Sequence, residues 1–275
     1  MITDRQLTCA AIHDMSGFGR CSLAVIIPII SAMGIQCVPV PTAVLSTHTG
    51  GFDDFVFRDT TDFLVPCKEH YKKLGVRFDA IYSGFLASEE QVDSCLDFFA
   101  SFPQAMHIVD PVMGENGERY KTYTPRLVER MKELTVGARV ITPNITEAAM
   151  LLDEPYPDSL TEAQARKWLE RLCRSAKSAV ITGAVLDTGE HANLCLDGAS
   201  GEYTCICWEP LPASYPGTGD IFASVMTGRL LLGDKLSDAV RAATGFARRA
   251  VEVTIGNGQP ERNGVEFERV LRELF

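Results

Sequence analysis

Tyr215-Pro216-Gly217-Thr218-Gly219-Asp220 runs directly into Ile221-Phe222-Ala223-Ser224-Val225-Met226. Two glycines flank a small hydroxyl residue, a carboxylate follows, and an apolar helix begins. Glycine turns tightly and exposes its backbone N–H. The first helical turn has N–H groups without internal partners and lies at the positive end of the macrodipole. The stretch therefore predicts an anion cradle. A carboxylate at its mouth is unfavourable unless it does chemistry there. Taking a proton from a hydroxyl that attacks a bound phosphate is such chemistry. A plain helix cap is the alternative role for Asp220.

Outside this stretch, the bulk composition narrows the class. The 275 residues, 46% hydrophobic and 23% charged, suffice for one large α/β domain over residues 1–275. A net charge of −10 argues against nucleic acid or an anionic membrane as partner. A polyanionic substrate must then be attracted locally, by helix N-termini, glycine-loop amides and a divalent cation. The nine cysteines form no Cys-x-x-Cys pair, which predicts reduced thiols and a cytoplasmic protein. Cys205 and Cys207 fall on one face of a strand. Met1–Gln6 is polar, so no secretion signal is expected. No apolar run approaches the roughly 18 to 20 residues that span a bilayer.

Strand and helix signals alternate along the chain. Leu7–His13 reads as a strand buried on both faces. A glycine turn from Asp14 to Ser22 follows, then an apolar helix to Met33. Gly17-x-Gly19-x-x-Ser22 only approaches a dinucleotide fingerprint. Its third glycine is replaced by Ser22, and Val38-Pro39-Val40-Pro41 lacks the acidic residue that would hold a ribose. The next strand, Ile35–Val44, leads into the polar loop Ser46-Thr47-His48-Thr49-Gly50-Gly51. Such a loop after a strand suits substrate contacts.

Phe78–Ser83 and Met106–Val109 are further strands, and Asp110-Pro111-Val112-Met113-Gly114 leaves Asp110 at a strand tip, since proline forces the chain out of the sheet. Glu115–Thr122 reads as a charged flap. Thr142-Pro143-Asn144-Ile145-Thr146-Glu147 opens a helix with Asn144 and Glu147 on one face, as a capping box, a phosphate–cation site, or both. Ser178–Thr182 is a strand, and two antiparallel strands lie around residues 197–201. Thr218–Leu232 carries an apolar stripe, Ser237–Val253 is rich in small residues, and Val265–Leu274 reads as a charged final helix. The alternation predicts a mainly parallel three-layer α/β/α fold.

In such a sheet the Asp14–Gly19 turn, Asp110, Asn144 with Glu147, and Gly217–Asp220 converge on one edge. G-x-x-x-x-G-K-[ST], G-x-S-x-G and H-E-x-x-H are all absent from the sequence, so P-loop, serine-hydrolase and zincin chemistries have no support. Several carboxylates around a glycine-rich helix start fit phosphoryl transfer.

Gly217-Thr218-Gly219-Asp220 resembles the G-x-G-D signature of the ribokinase superfamily. Asp110-Pro111-Val112-Met113-Gly114 and Thr142-Pro143-Asn144-x-x-Glu147 are similar to motifs of its vitamin-kinase branch, the pyridoxal and hydroxymethylpyrimidine kinases. Ser46-x-His48-Thr49-Gly50 resembles the pyridoxal kinase substrate loop. The motifs occur in family order across nearly the whole chain. The resemblance implies a ribokinase-like fold and ATP-dependent phosphorylation of the 5′-hydroxymethyl group of a B6 vitamer. Hydroxymethylpyrimidine phosphorylation, or a non-catalytic nucleotide- or vitamin-binding regulator, is the alternative.

By position, the resemblance makes Asp220 the base, and the amides of Gly217, Thr218 and Gly219 the anion hole. Asp110 and Glu147 act around Mg²⁺–ATP, with Asn144 nearby, and Thr182 contacts ATP. His48, Thr49 and Gly50 lie in the substrate loop, and Phe85 lies beside the ring. Mg²⁺ is the implied cofactor, with room for a monovalent cation, and similar kinases are homodimers. Two departures stand out. Ser214-Tyr215 replaces the Asp-Thr that precedes the signature in sugar kinases. Asp14 stands where pyridoxal kinases typically carry serine, while pyrimidine kinases often have an acidic residue in this turn. A carboxylate there is expected to favour a cationic ligand, a pyridinium N–H or the ammonium of pyridoxamine.

Overall fold

The computed structural model describes residues 5–275. Most of the polar start, Met1–Gln6, lies outside them. In chain order the elements are β1 (Thr8–Phe18), α1 (Leu23–Ala32), β2 (Gln36–Thr47), β3 (Phe57–Asp59), α2 (Thr61–Leu74), β4 (Ala80–Ser83), α3 (Glu89–Ser101) and β5 (Met106–Val109). The hairpin β6 (Gly114–Glu115) and β7 (Glu118–Arg119) follows, then α4 (Pro125–Leu134), β8 (Val140–Ile141), α5 (Ile145–Leu152) and α6 (Glu162–Leu172). The chain continues through β9 (Ser178–Val185), β10 (His191–Asp197), β11 (Tyr203–Trp208), α7 (Thr218–Leu231) and α8 (Leu236–Gly256).

Nine strands form one sheet in the order β11-β10-β9-β8-β5-β4-β1-β2-β3. The six from β9 to β2 are parallel, and antiparallel pairings add β3 at one edge and β10–β11 at the other. Period-two alternation makes the layers. On β1, Ala10 and Ile12 face a core built with α2 to α6, while Cys9 and Ala11 face a core built with α1, α7 and α8. This is the three-layer α/β/α arrangement. β1 lies between β2 and β4, where successive strands are added in opposite directions. Ligands of open α/β sheets bind at such a switch point, beyond the strands' carboxyl ends.

Tertiary structure overrides the local signals at four places. The glycine turn expected from Asp14 is instead the last part of β1. β2 also continues, and the two pair as far as Phe18 with Thr47. A Cβ at Gly17 would lie 2.9 Å from the Ser46 carbonyl oxygen, so glycine serves close strand approach there. α7 is buried on nearly every side, from Ile221 to Gly228 and at Leu230, because it is packed among the sheet, α1 and α8; no single stripe faces the core. The expected helix Val265–Leu274 is a pair of 3₁₀ turns, Phe267–Arg269 and Leu271–Leu274. Val265, Phe267 and Val270 are its buried anchors, a spacing no α-helical face supplies. The short edge strand β3 has no clear sequence signal.

Candidate active site

The turn into α7 forms as the residues require. Gly217 caps α7 with φ 81°, a left-handed conformation suited to glycine. A Cβ there would meet the Arg20 carbonyl oxygen at 2.2 Å. Thr218 Oγ1 donates to the Tyr215 carbonyl at 2.6 Å and closes the turn. A Cβ at Gly219 would enter open space. The first-turn amides of a helix are the groups that bind an anion.

Asp220 lies in the first turn of α7 but does not cap it. Its Oδ2 accepts from the Ser22 amide at 2.7 Å. Its Oδ1 is 3.3 Å from His13 Nε2, near enough for an ion pair but off the line of a good hydrogen bond. Ser22 has φ 59° and ψ −139°, a conformation that costs on the order of 1–3 kcal/mol for a residue with a side chain. That backbone aims its N–H at Asp220. His13 Nδ1 lies 2.9 Å from Asp14 Oδ1 and 3.0 Å from the Asp14 amide nitrogen, and Asp14 Oδ2 accepts from Ser16 Oγ at 2.7 Å. Both oxygens of Asp14 therefore already have partners within β1.

In this cluster one imidazole faces two carboxylates. Burial alone would lower the His13 pKa, but the contact with Asp14 and the charges of Asp14 and Asp220 raise it to about 10. Burial would raise the Asp14 pKa, but His13 holds it below the usual carboxylate value. Asp110, 7% exposed, is pushed up to about 7 by burial and by Asp220. Glu147 is pushed well above its usual value by burial and by Asp110.

Asn144 and Glu147 form the expected capping box. Glu147 also reaches further, since Oε1 accepts from the Met113 amide at 3.0 Å and Oε2 from the Asn144 amide at 2.8 Å. Asn144 Nδ2 donates to the Gly114 carbonyl at 2.8 Å, and the Gly117 amide donates to Thr146 Oγ1 at 2.9 Å. The expected flap is thus the β6–β7 hairpin, closed by Asn116-Gly117 with φ 54° and 79°, as a two-residue hairpin turn requires. α5 ties it down. Among the described residues, no three His, Cys, Asp or Glu side chains gather into a metal cage.

His48 is buried. Its Nε2 lies 2.8 Å from the Arg262 carbonyl oxygen, and its Nδ1 accepts from the Gly50 amide at 3.1 Å. His48 therefore fastens the loop to the C-terminal segment, while Thr49 and Gly50 are exposed. Phe85 is half-buried and meets Tyr123 edge-on, with ring centroids 6.1 Å apart. Thr182 lies on β9 beside Asn144, its amide donating to the Pro143 carbonyl at 2.9 Å. The structure brings Asp14, Asp110, Glu147 and Asp220 to the carboxyl edge of the sheet.

Sequence reasoning missed His13, Ser22 and the C-terminal latch on His48. The signal for His13 was a histidine ending a buried strand next to an aspartate. The latch had none, because it joins residues 214 apart in sequence.

A parallel α/β/α sheet with a glycine-rich anion cradle and a carboxylate beside it defines a small-molecule kinase with the ribokinase-like fold. The phosphomethylpyrimidine kinase family model matches residues 27–263, and the chain belongs to that family of vitamin kinases. A Bacteroides thetaiotaomicron protein provisionally named phosphomethylpyrimidine kinase, solved in a form with pyridoxal, superposes with TM-score 0.93 at 40% identity, covering 98% of this chain and 96% of its own. Pyridoxal kinase PdxY of Pseudomonas aeruginosa is 30% identical, over 85% of this chain and 83% of its own. The hydroxymethylpyrimidine/phosphomethylpyrimidine kinase of Haemophilus influenzae is 28% identical, over 68% and 71%. Among the described residues, no helix is long and apolar enough to cross a membrane.

Proposed function

We propose that the protein transfers the γ-phosphoryl group of ATP to the 5′-hydroxymethyl group of a B6 vitamer. The observation that carries this reading is Asp220, held by the Ser22 amide at the mouth of the open α7 cradle. Asp220 takes the proton of the hydroxymethyl group as its oxygen attacks the γ-phosphorus, and ADP leaves. The amides of Gly217, Thr218 and Gly219 receive the oxygens of the transferring group, where positioning and charge neutralisation supply most of the catalysis. His48, Thr49 and Gly50 shape the vitamer side with Phe85, and Thr182 and Asn144 the nucleotide side.

Asp110 and Glu147 fit Mg²⁺. They are two buried carboxylates, Asp110 raising the proton affinity of Glu147, and Mg²⁺ is commonly held by one or two carboxylates plus substrate phosphates. When bound, the ion would neutralise phosphate charge. Asp110 is the direct candidate, since both Glu147 oxygens accept backbone amides. The reading includes a homodimer, a monovalent cation as activator and a cytoplasmic setting; light scattering, K⁺ titration and fractionation test these.

A B6 substrate is favoured over hydroxymethylpyrimidine by the pyridoxal-bearing relative at 40% identity. An ADP-release assay with pyridoxal, pyridoxamine, pyridoxine, hydroxymethylpyrimidine and ribose decides. The highest kcat/KM is expected with a B6 vitamer. A preference for the pyrimidine would transfer the assignment to the alternative, and no turnover with any of them would sink the kinase chemistry proposed for Asp220.

A further inference from the structure

We infer that His13, backed by Asp14, is a positioning residue that holds the Asp220 carboxylate in its working orientation. The inference rests on Asp220 being the base. Neighbouring side chains on a regular strand point to opposite faces, yet His13 and Asp14 meet at 2.9 Å. They do so where the register of β1 against β2 shifts, between His13 and Met15. The irregularity turns the two side chains toward each other, as bulges near active sites re-aim side chains.

The ring is boxed in. His13 is 3% exposed, and a Cβ at Gly84 would fall 1.9 Å from its Cδ2. Gly84, at the tip of β4, is the space in which the imidazole lies. Tyr82 meets the ring edge-on at 6.4 Å between centroids. One ring nitrogen is anchored by Asp14, and the other faces Asp220 Oδ1 at 3.3 Å. The Ser22 amide holds Asp220 Oδ2, so each carboxylate oxygen is restrained from a different element. The charged or titratable groups facing His13 are Asp14 on its own strand, Asp220 on α7, Tyr82 on β4 and, at longer range, Asp110 beyond β5.

Asp14 also gains a role different from ligand contact. Its carboxylate fixes the ring and supplies charge that keeps the imidazole protonated, and both its oxygens have protein partners. Its effect on turnover therefore passes through His13 and Asp220.

The experiment has two arms on the full chain. In the first, His13→Gln is expected to lower kcat about 10- to 100-fold, the scale of a misplacement of about 1 Å, with KM for ATP within two-fold of wild type. Loss of the imidazolium removes a positive charge beside the carboxylate, so the acid limb of the kcat/KM profile shifts. A mere packing role leaves that limb in place. Asp14→Asn, which keeps the bond from Ser16, gives the same pattern at smaller size and serves if His13→Gln fails to fold. In the second arm, ¹⁵N NMR of histidine-labelled protein without substrate follows the His13 resonance, identified by its absence in His13→Gln. Asp220→Asn is expected to lower its titration midpoint by at least about one unit, reflecting the lost carboxylate. Turnover within two-fold of wild type in both variants, or an unchanged midpoint in Asp220→Asn, overturns the inference. Absence of wild-type turnover with every alcohol removes Asp220 as base, and the NMR shift then decides alone whether His13 holds it.

Discussion

The Ser22 amide donates to Asp220 Oδ2 at 2.7 Å, across 198 residues of sequence. One partner ends the turn before α1, and the other lies in the first turn of α7. This bond joins the two glycine-rich segments into one site and keeps Asp220 from acting as an ordinary helix cap.

Replacing Asp220 by Ala separates base from cap. Turnover is expected to fall by about 10² to 10⁴, the range for a lost general base, with ATP affinity little changed. Paired ADP-release and calorimetric titrations measure both, and near-normal turnover would reduce Asp220 to a structural residue.

The two cradle glycines should respond differently. Gly217→Ala forces a side chain at φ 81° into the Arg20 carbonyl. It should cost on the order of 1–3 kcal/mol of stability along with activity. Gly219→Ala meets no atom within 4 Å, so the melting temperature should hold while kcat falls, because the methyl group enters the phosphate's space. Equal melting losses in both variants would contradict this contrast.

Asn144→Ala removes a cap and the tie to Gly114. About 1 kcal/mol of stability should be lost, with faster hydrogen exchange confined to residues 114–119 and the start of α5. Uniform exchange across the chain would mean that Asn144 does not restrain the hairpin.

His13 predicts a pH dependence of stability with a definite sign. Its folded pKa, about 10, exceeds the ordinary value of 6.5, so between them the native state holds the proton more tightly than the unfolded chain. The stabilisation is complete below about pH 6.5 and declines as pH rises toward 10. Chemical denaturation of wild type and His13→Gln should therefore show a difference that shrinks across this window. A difference independent of pH would mean that the ring contributes packing alone.

Mg²⁺ should raise the melting temperature of wild type, because a ligand of the native state stabilises it. Asp110→Asn should abolish most of that rise, whereas Glu147→Gln should mainly lower the baseline stability through the Met113 and Asn144 amides. The reverse pattern would exchange the roles of the two carboxylates.

Much of the fold was legible because its signals are local. Met106–Val109 has the expected bounds, since an apolar run ended by Asp-Pro is decided within a few residues. The capping box at Asn144 and Glu147 was equally readable. The final segment was not, because its buried anchors are set by the surface it lies against. β1 outran its glycines because β2 continued beside it.

The sequence by itself determined the alternation of strands and helices, the α7 cradle and the family to which the motifs belong, because each depends on neighbours in the chain. Only the tertiary structure decided which groups touch Asp220. Ser22 and His13 reach it, with Asp14 behind His13, through a strained turn, a register shift and the vacancy at Gly84, all of which depend on how β1, β4 and α7 pack. Contact at 2.7 Å between residues so far apart in the chain leaves no periodicity to read, so the carboxylate was visible in the sequence and its support was not.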